Sequence, residues 1–147
     1  MQVNKYLKVV VYLYFLILIY ITFFSGQRHS DDLYENNISF KLLESKWDYL
    51  NNFDDLYANQ KRFVLIEVLG NLMLFMPFTA SIFVLVKKKI SVLVLIAILL
   101  GVIISVESFQ YLFHLGVFDI DDIVLNFTGG MIGLTVFNLF FRKYILK

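Results

Sequence analysis

Residues 105–130 read SVESFQYLFHLGVFDIDDIVLNFTGG. One apolar run closes in this stretch and another opens. Glu107 and Gln110 stand in the first run, Asp119, Asp121 and Asp122 in the turn, and Asn126, Gly129 and Gly130 in the second. Acids and amides are costly in a greasy environment, so the reading of the chain turns on where these residues lie.

Outward from this stretch the runs lengthen. The upstream run begins near residue 90 and holds only Glu107 as a charge, and the downstream run reaches residue 141 without a charge after Asp122. Two more such runs lie at about 6–24 and 63–86; the first is uncharged after Lys8, and the second has Glu67 as its only charge. A bilayer core of ~30 Å needs roughly 20 helical residues to cross. Backbone groups in lipid must be satisfied within the segment, so each run is read as a helix. The composition agrees: 59% of the residues are apolar and the mean hydropathy is +0.73, beyond an ordinary soluble domain. The expected architecture is an all-α polytopic membrane protein. Residues 1–147 form one domain with four transmembrane helices at about 6–24, 63–86, 90–115 and 120–141.

Lysine and arginine set the expected orientation. Lys5, Lys8, Lys87, Lys88, Lys89, Arg142, Lys143 and Lys147 all fall on one side of a four-pass chain, and no acid falls there. That side is expected to be the cytoplasm, with both termini inside and the 25–62 loop outside. The first run has the basic start of a signal peptide, but Phe23-Phe24-Ser25-Gly26-Gln27 lacks a small-residue cleavage site. An uncleaved helix is expected. In the outer loop, Leu43, Trp47, Leu50 and Tyr57 recur at near-helical spacing with Phe53 close by. A short helix packed over the bundle is expected there. Asn37-Ile38-Ser39 matches a glycosylation pattern too short to carry weight.

Several chemistries are excluded or disfavoured. There is no cysteine, hence no thiol or disulfide chemistry. Two histidines, His29 and His114, stand far apart, which does not suit a zinc site. The three aspartates lack the glycine and distal glutamate of a calcium loop. No metal or cofactor is expected. A net charge of +1 gives no reason to expect a nucleic-acid partner.

Depth accounts for the polar residues. At ~1.5 Å per residue, Glu67 and Asn71 lie about 6 and 12 Å into the second run, one turn apart on one face. Gln110 and Glu107 lie about 8 and 12 Å below the outer end of the third run, and His114 extends their face to the surface. Asp122 sits at the rim of the fourth run, with Asn126 about 9 Å in. Six polar residues thus share one depth in the outer half. Asp122, Asn126, Gly129 or Gly130, and Gly133 share one face of the fourth run, where small residues let a neighbouring backbone come close, within the chain or between copies. Asp119 or Asp121 suits the N-cap. Pro77 is placed to kink the second run. An ionised Glu107 at helix centre would cost roughly 2.5–3.5 kcal/mol, so it faces the bundle or a wet cavity, is paired, or is protonated. The bland alternative is interhelical bonding at about 0.6 kcal/mol per bond.

Three stretches, GNLMLFMPF (70–78), SVESFQ (105–110) and FDIDDIVLNFTGGMIG (118–133), resemble the VanZ-like family of bacterial membrane proteins. Its shared marks fall on Asn71, Phe75, Pro77, Glu107, Gln110, Asp119, Asp122, Asn126 and Gly129, over about 65–140. Gly116 stands where many members carry an arginine, and Thr79 where they often have a glycine. The resemblance implies a multi-pass protein of the bacterial cell envelope, associated through its named member with low-level resistance to teicoplanin, a lipoglycopeptide.

The placement and the resemblance together suggest a non-enzymatic binding or envelope-modulating protein. Glu67, Asn71, Glu107, Gln110, Asp119, Asp122 and Asn126 would form an outward pocket for a lipoglycopeptide or a lipid-linked wall precursor, with membrane lipids around it. Pro77, Gly129, Gly130 and Gly133 are expected to be structural. One alternative is a transporter using Glu107 as a protonatable group, although no inverted repeat is visible. Another is a scaffold whose polar residues only join helices. An enzyme would need a nucleophile, metal or phosphate cradle that no motif supplies.

Overall fold

A computed structural model describes residues 5–24, 51–86, 90–115 and 118–141. The chain runs through α1 (Lys5–Phe24), a 3-10 turn (Phe53–Asp55), α2 (Ala58–Phe75), α3 (Phe78–Val86), α4 (Val92–Leu112) and α5 (Ile120–Val136), which closes in a π-helical turn (Phe137–Phe141). Among the described residues four helical stretches are long and apolar enough to cross a membrane: Lys5–Phe24, Ala58–Val86, Val92–Leu112 and Ile120–Phe140. The all-α, four-span expectation holds. The expected loop helix lies mostly outside the described residues, as do Asn37–Ser39, Lys87–Lys89, Gly116, Arg142, Lys143 and Lys147.

Each helix begins where local chemistry lets it begin. Ala58–Val86, read as one span of 29 residues, would measure about 44 Å if straight, more than the ~30 Å hydrocarbon core. The excess is the polar first turn of α2, which carries Lys61 and Arg62. The Tyr57 N–H donates to Gln60 Oε1 at 3.0 Å. Lys61 Nζ donates to the Asp54 carbonyl at 3.0 Å and lies 5.4 Å from the Phe53 ring centroid. At the start of α4, Ser91 Oγ accepts from the Val94 N–H at 3.2 Å, an N-cap that meets one orphan donor.

α4 ends in a Schellman motif. The Leu115 N–H donates to the Gln110 carbonyl at 2.8 Å and the His114 N–H to the Tyr111 carbonyl at 3.2 Å. His114 takes the left-handed conformation this requires, with φ 55°. Its side chain is exposed, so its position at the surface follows from a helix cap.

Pro77 divides the second span into α2 and α3. Proline supplies no N–H to the carbonyl four residues back and crowds it, which opens the ladder at this turn. Tyr14 of α1 donates its hydroxyl to the adjacent Leu74 carbonyl at 2.9 Å. Beside it, Phe15 meets Phe78 edge-on at 5.9 Å. Leu18, Phe75, Phe78, Leu99 and Ile103 form the central core. A second cluster of Phe83, Leu95, Leu134 and Phe137 lies nearer the ends where α1 starts and α5 stops. There, the Phe83 and Phe137 rings stack at 4.9 Å.

The α2–α5 seam is backbone against backbone. A Cβ on Gly129 would lie 2.0 Å from the Leu72 carbonyl oxygen, and one on Gly133 would lie 1.8 Å from that of Met76. Gly130 faces α4 instead, where a Cβ would lie 2.5 Å from Leu99 Cδ2. The glycines therefore serve packing within the chain, on two sides of α5. Thr79 adds a 3.4 Å bond from its hydroxyl to the Gly130 carbonyl.

Candidate functional site

Hydroxyls along α4 and α5 show what a polar group does when no neighbour is in reach. Ser105, Ser108, Thr128 and Thr135 each donate to the carbonyl four residues back, at 2.7–2.9 Å. A short side chain can return to its own helix in this way. Asparagine, glutamine and the carboxylates have both donors and acceptors to satisfy, or a charge, so burial drives them toward other helices.

That is where the structure places them. Asn71, Glu107, Gln110, Asp121, Asp122 and Asn126 are all buried. Glu107 and Gln110, one turn apart on α4, are each 2% exposed. Asn71 Nδ2 donates to Asp122 Oδ1 at 2.5 Å. Asp122, in the first turn of α5, is thus a buried acceptor. Gln110 Nε2 donates to the carbonyl of Thr22 at 2.9 Å, which brings in α1. Asp119 is the N-cap of α5, its Oδ1 accepting from the Asp121 N–H at 2.8 Å. The first turn of α5 then holds Asp121 and Asp122, at the end where the helix dipole favours negative charge.

Asn126 lies one turn deeper than Asp122 on the buried face of α5. It is 3% exposed, and its Oδ1 has no hydrogen-bond partner among the described residues. An unmet acceptor of this kind costs about 1–3 kcal/mol. Glu67 is half-buried, one turn before Asn71 on α2. The site residues thus separate into three kinds: a helix cap (Asp119), groups that bind helix to helix (Asn71, Asp122, Gln110), and deep groups on the inward faces of α4 and α5 (Glu107, Asn126).

Thr22 and Tyr14 escaped the sequence reading. Thr22 is the one serine or threonine of α1, but its use through a backbone carbonyl leaves no mark on residue type. Tyr14 left no clear signal either: Pro77 deprives the Met73 carbonyl of its N–H donor, whereas Tyr14 bonds to the carbonyl of Leu74, one residue on.

The chemistry available at this end of the bundle is that of carboxylates and carboxamides. Such groups accept from hydroxyl, amide and ammonium donors, and the amides can donate to carbonyls. No cation stands among Asn71, Glu107, Gln110, Asp121, Asp122 and Asn126, so the set does not favour a phosphate. The cavity found elsewhere, of 290 Å³, lies between α1, the Pro77 turn and the end of α5, and its walls are apolar.

A model of the VanZ/LLP1 family matches residues 11–141 of the chain. The match takes in most of α1 and the long loop as well as the three motif-bearing stretches. No curated protein and no solved structure matches the chain.

Proposed function

The chain belongs to the VanZ/LLP1 family, and we propose that it is a multi-pass protein of the bacterial cytoplasmic membrane that engages the polar head of an amphiphile. Both termini face the cytoplasm and the 25–62 loop faces outward, because eight cations and no acid lie in the inner segments. The ligand is a lipoglycopeptide of the teicoplanin type or a lipid-linked wall precursor. The protein binds this molecule, or limits its access, without a chemical step.

The observation that carries this reading is Asn126. A carboxamide oxygen is held buried and without a hydrogen-bond partner among the described residues, within a turn of the Asn71–Asp122 bond. Holding it so is costly unless a donor arrives. A head rich in hydroxyl, amide or ammonium groups supplies such donors, and its tail can remain in the surrounding lipid. Glu107 and Gln110 line the facing side of α4, and Glu67 stands at the approach along α2.

Drug susceptibility tests the proposal. Cells producing the intact protein, Glu107→Gln, Asn126→Leu or nothing are compared for teicoplanin and vancomycin, with membrane abundance measured in each. Selective teicoplanin protection by the intact protein, lost in both variants at equal abundance, is the expected result. Protection that persists in both variants sinks the binding role of the cluster.

A second reading has its own observation. Asn71–Asp122 and Gln110–Thr22 are interhelical bonds of the kind a scaffold uses. On that reading, any phenotype of Glu107→Gln follows abundance and thermal stability in step.

A further inference from the structure

The apolar cavity lies at the opposite end of the bundle from the polar cluster, and its origin can be traced. The Pro77 turn separates α3 from α2, Ala80 and Gly133 contribute little or no side chain, and the π-helical turn begins at Phe137. Together these leave a 290 Å³ groove, near the bottom of the ~300–1,000 Å³ range of ligand sites. That is room for part of one chain of a lipid. Val11 and Phe137 are buried at its floor, at 4% and 2% exposure, while Val10 at 59% and Val136 at 39% form its lips. Ser81 has the only side-chain polar atom among the lining residues. The groove therefore opens sideways, within the apolar length of the spans.

Charge identifies the molecule that fits. All three segments walling the groove are flanked by cations in the sequence. Lys5 and Lys8 begin α1, with Lys5 exposed and Lys8 half-buried. In sequence, Lys87–Lys89 directly follow α3, and Arg142 and Lys143 follow Phe141. No acid occurs in any of these stretches. Juxtamembrane cations attract anionic headgroups, and basic sites between helices hold them.

We propose that this groove seats one acyl chain of an anionic phospholipid from the leaflet in which α1 begins, its phosphate held at Lys5 and Lys8. The lipid fills the space opened by Pro77 and Gly133 between α1, α3 and α5. This site is separate from the polar cluster and does not depend on the function proposed for that cluster.

Native mass spectrometry of the full chain in detergent tests this, with dioleoylphosphatidylglycerol and dioleoylphosphatidylcholine as probes. One phosphatidylglycerol is expected to be retained in preference to phosphatidylcholine. Lys5→Gln and Lys8→Gln should each weaken that preference by about fivefold. Val10→Trp with Val136→Trp, which fills the groove from its exposed lips, should remove the retained lipid while the melting temperature in detergent stays within the wild-type range. Equal retention of the two lipids overturns the proposal, as does unchanged phosphatidylglycerol retention in the double tryptophan variant. If that variant does not fold, the lysine variants decide alone: an unaltered preference in both overturns it.

Discussion

Asn71 and Asp122, 51 positions apart, are joined by a 2.5 Å hydrogen bond between buried side chains. On α2 the bond adjoins Leu72, whose carbonyl is received by Gly129, about two turns beyond Asp122 on α5. A polar clasp and a glycine seam thus share one interface. The clasp sets the axial register and the seam sets the distance of approach.

Removing half of the clasp should cost more than reversing it. Asn71→Leu takes this donor from a buried carboxylate, and a loss of about 1–3 kcal/mol is expected. Asn71→Asp should be at least as damaging, since it sets two carboxylates together. Exchanging the residues, Asn71→Asp with Asp122→Asn, should recover most of the stability. Unfolding in mixed detergent, read as a double-mutant cycle, gives the coupling. Strict additivity would contradict a direct bond.

Alanine substitutions should separate the glycines by what each one faces. Gly129→Ala and Gly133→Ala drive a methyl into a carbonyl of the facing backbone, which can yield only by moving the helix. A loss of about 1–3 kcal/mol or more is expected. Gly130→Ala meets Leu99 Cδ2, the end of a flexible side chain, and should cost less. Gly70 and Gly101 have nothing within 4 Å of an added Cβ, so alanine there should gain up to about 1 kcal/mol in helix propensity. Melting temperatures of the five variants should follow that order.

Tyr14 and Pro77 should be coupled. Tyr14→Phe removes the donor to the Leu74 carbonyl and should cost about 0.5–1.5 kcal/mol. Pro77→Ala restores a backbone N–H and removes the ring that opened this turn. In that background the tyrosine hydroxyl should matter less. An equal penalty for Tyr14→Phe with and without Pro77 would show that the hydroxyl is not compensating for the kink.

His114 occupies a backbone position that suits glycine. Left-handed backbone costs an L-residue about 1–2 kcal/mol, so His114→Gly should stabilise the end of α4 by about 1 kcal/mol, and His114→Val should destabilise it, since a β-branched residue suits this conformation less than histidine does. Hydrogen exchange at the Leu115 amide, which bonds to the Gln110 carbonyl, reports this locally. Slower exchange in the glycine variant and faster exchange in the valine variant are expected. The reverse order would mean that the imidazole itself holds the turn.

The sequence by itself determined what is local along the chain. Four runs of sufficient length and apolarity specify four spans, because crossing lipid is a question of length and backbone satisfaction. The shared level of Asn71, Glu107, Gln110 and Asn126 could be read from a fixed rise per residue. The cap at Asp119 and the break at Pro77 follow from rules confined to a single turn. Periodicity also showed that Asp122, Asn126, Gly129 and Gly133 share a face.

Tertiary structure decided which neighbour each face meets. Periodicity gives the side of a helix that is polar or small, but not the rotation and order in which four helices assemble. So Asp122 reached Asn71, Gln110 reached a carbonyl of α1, and Gly130 parted from Gly129 to face Leu99. The groove beside Pro77 has the same origin. It is a space left between three elements, and no single segment of the chain encodes a space.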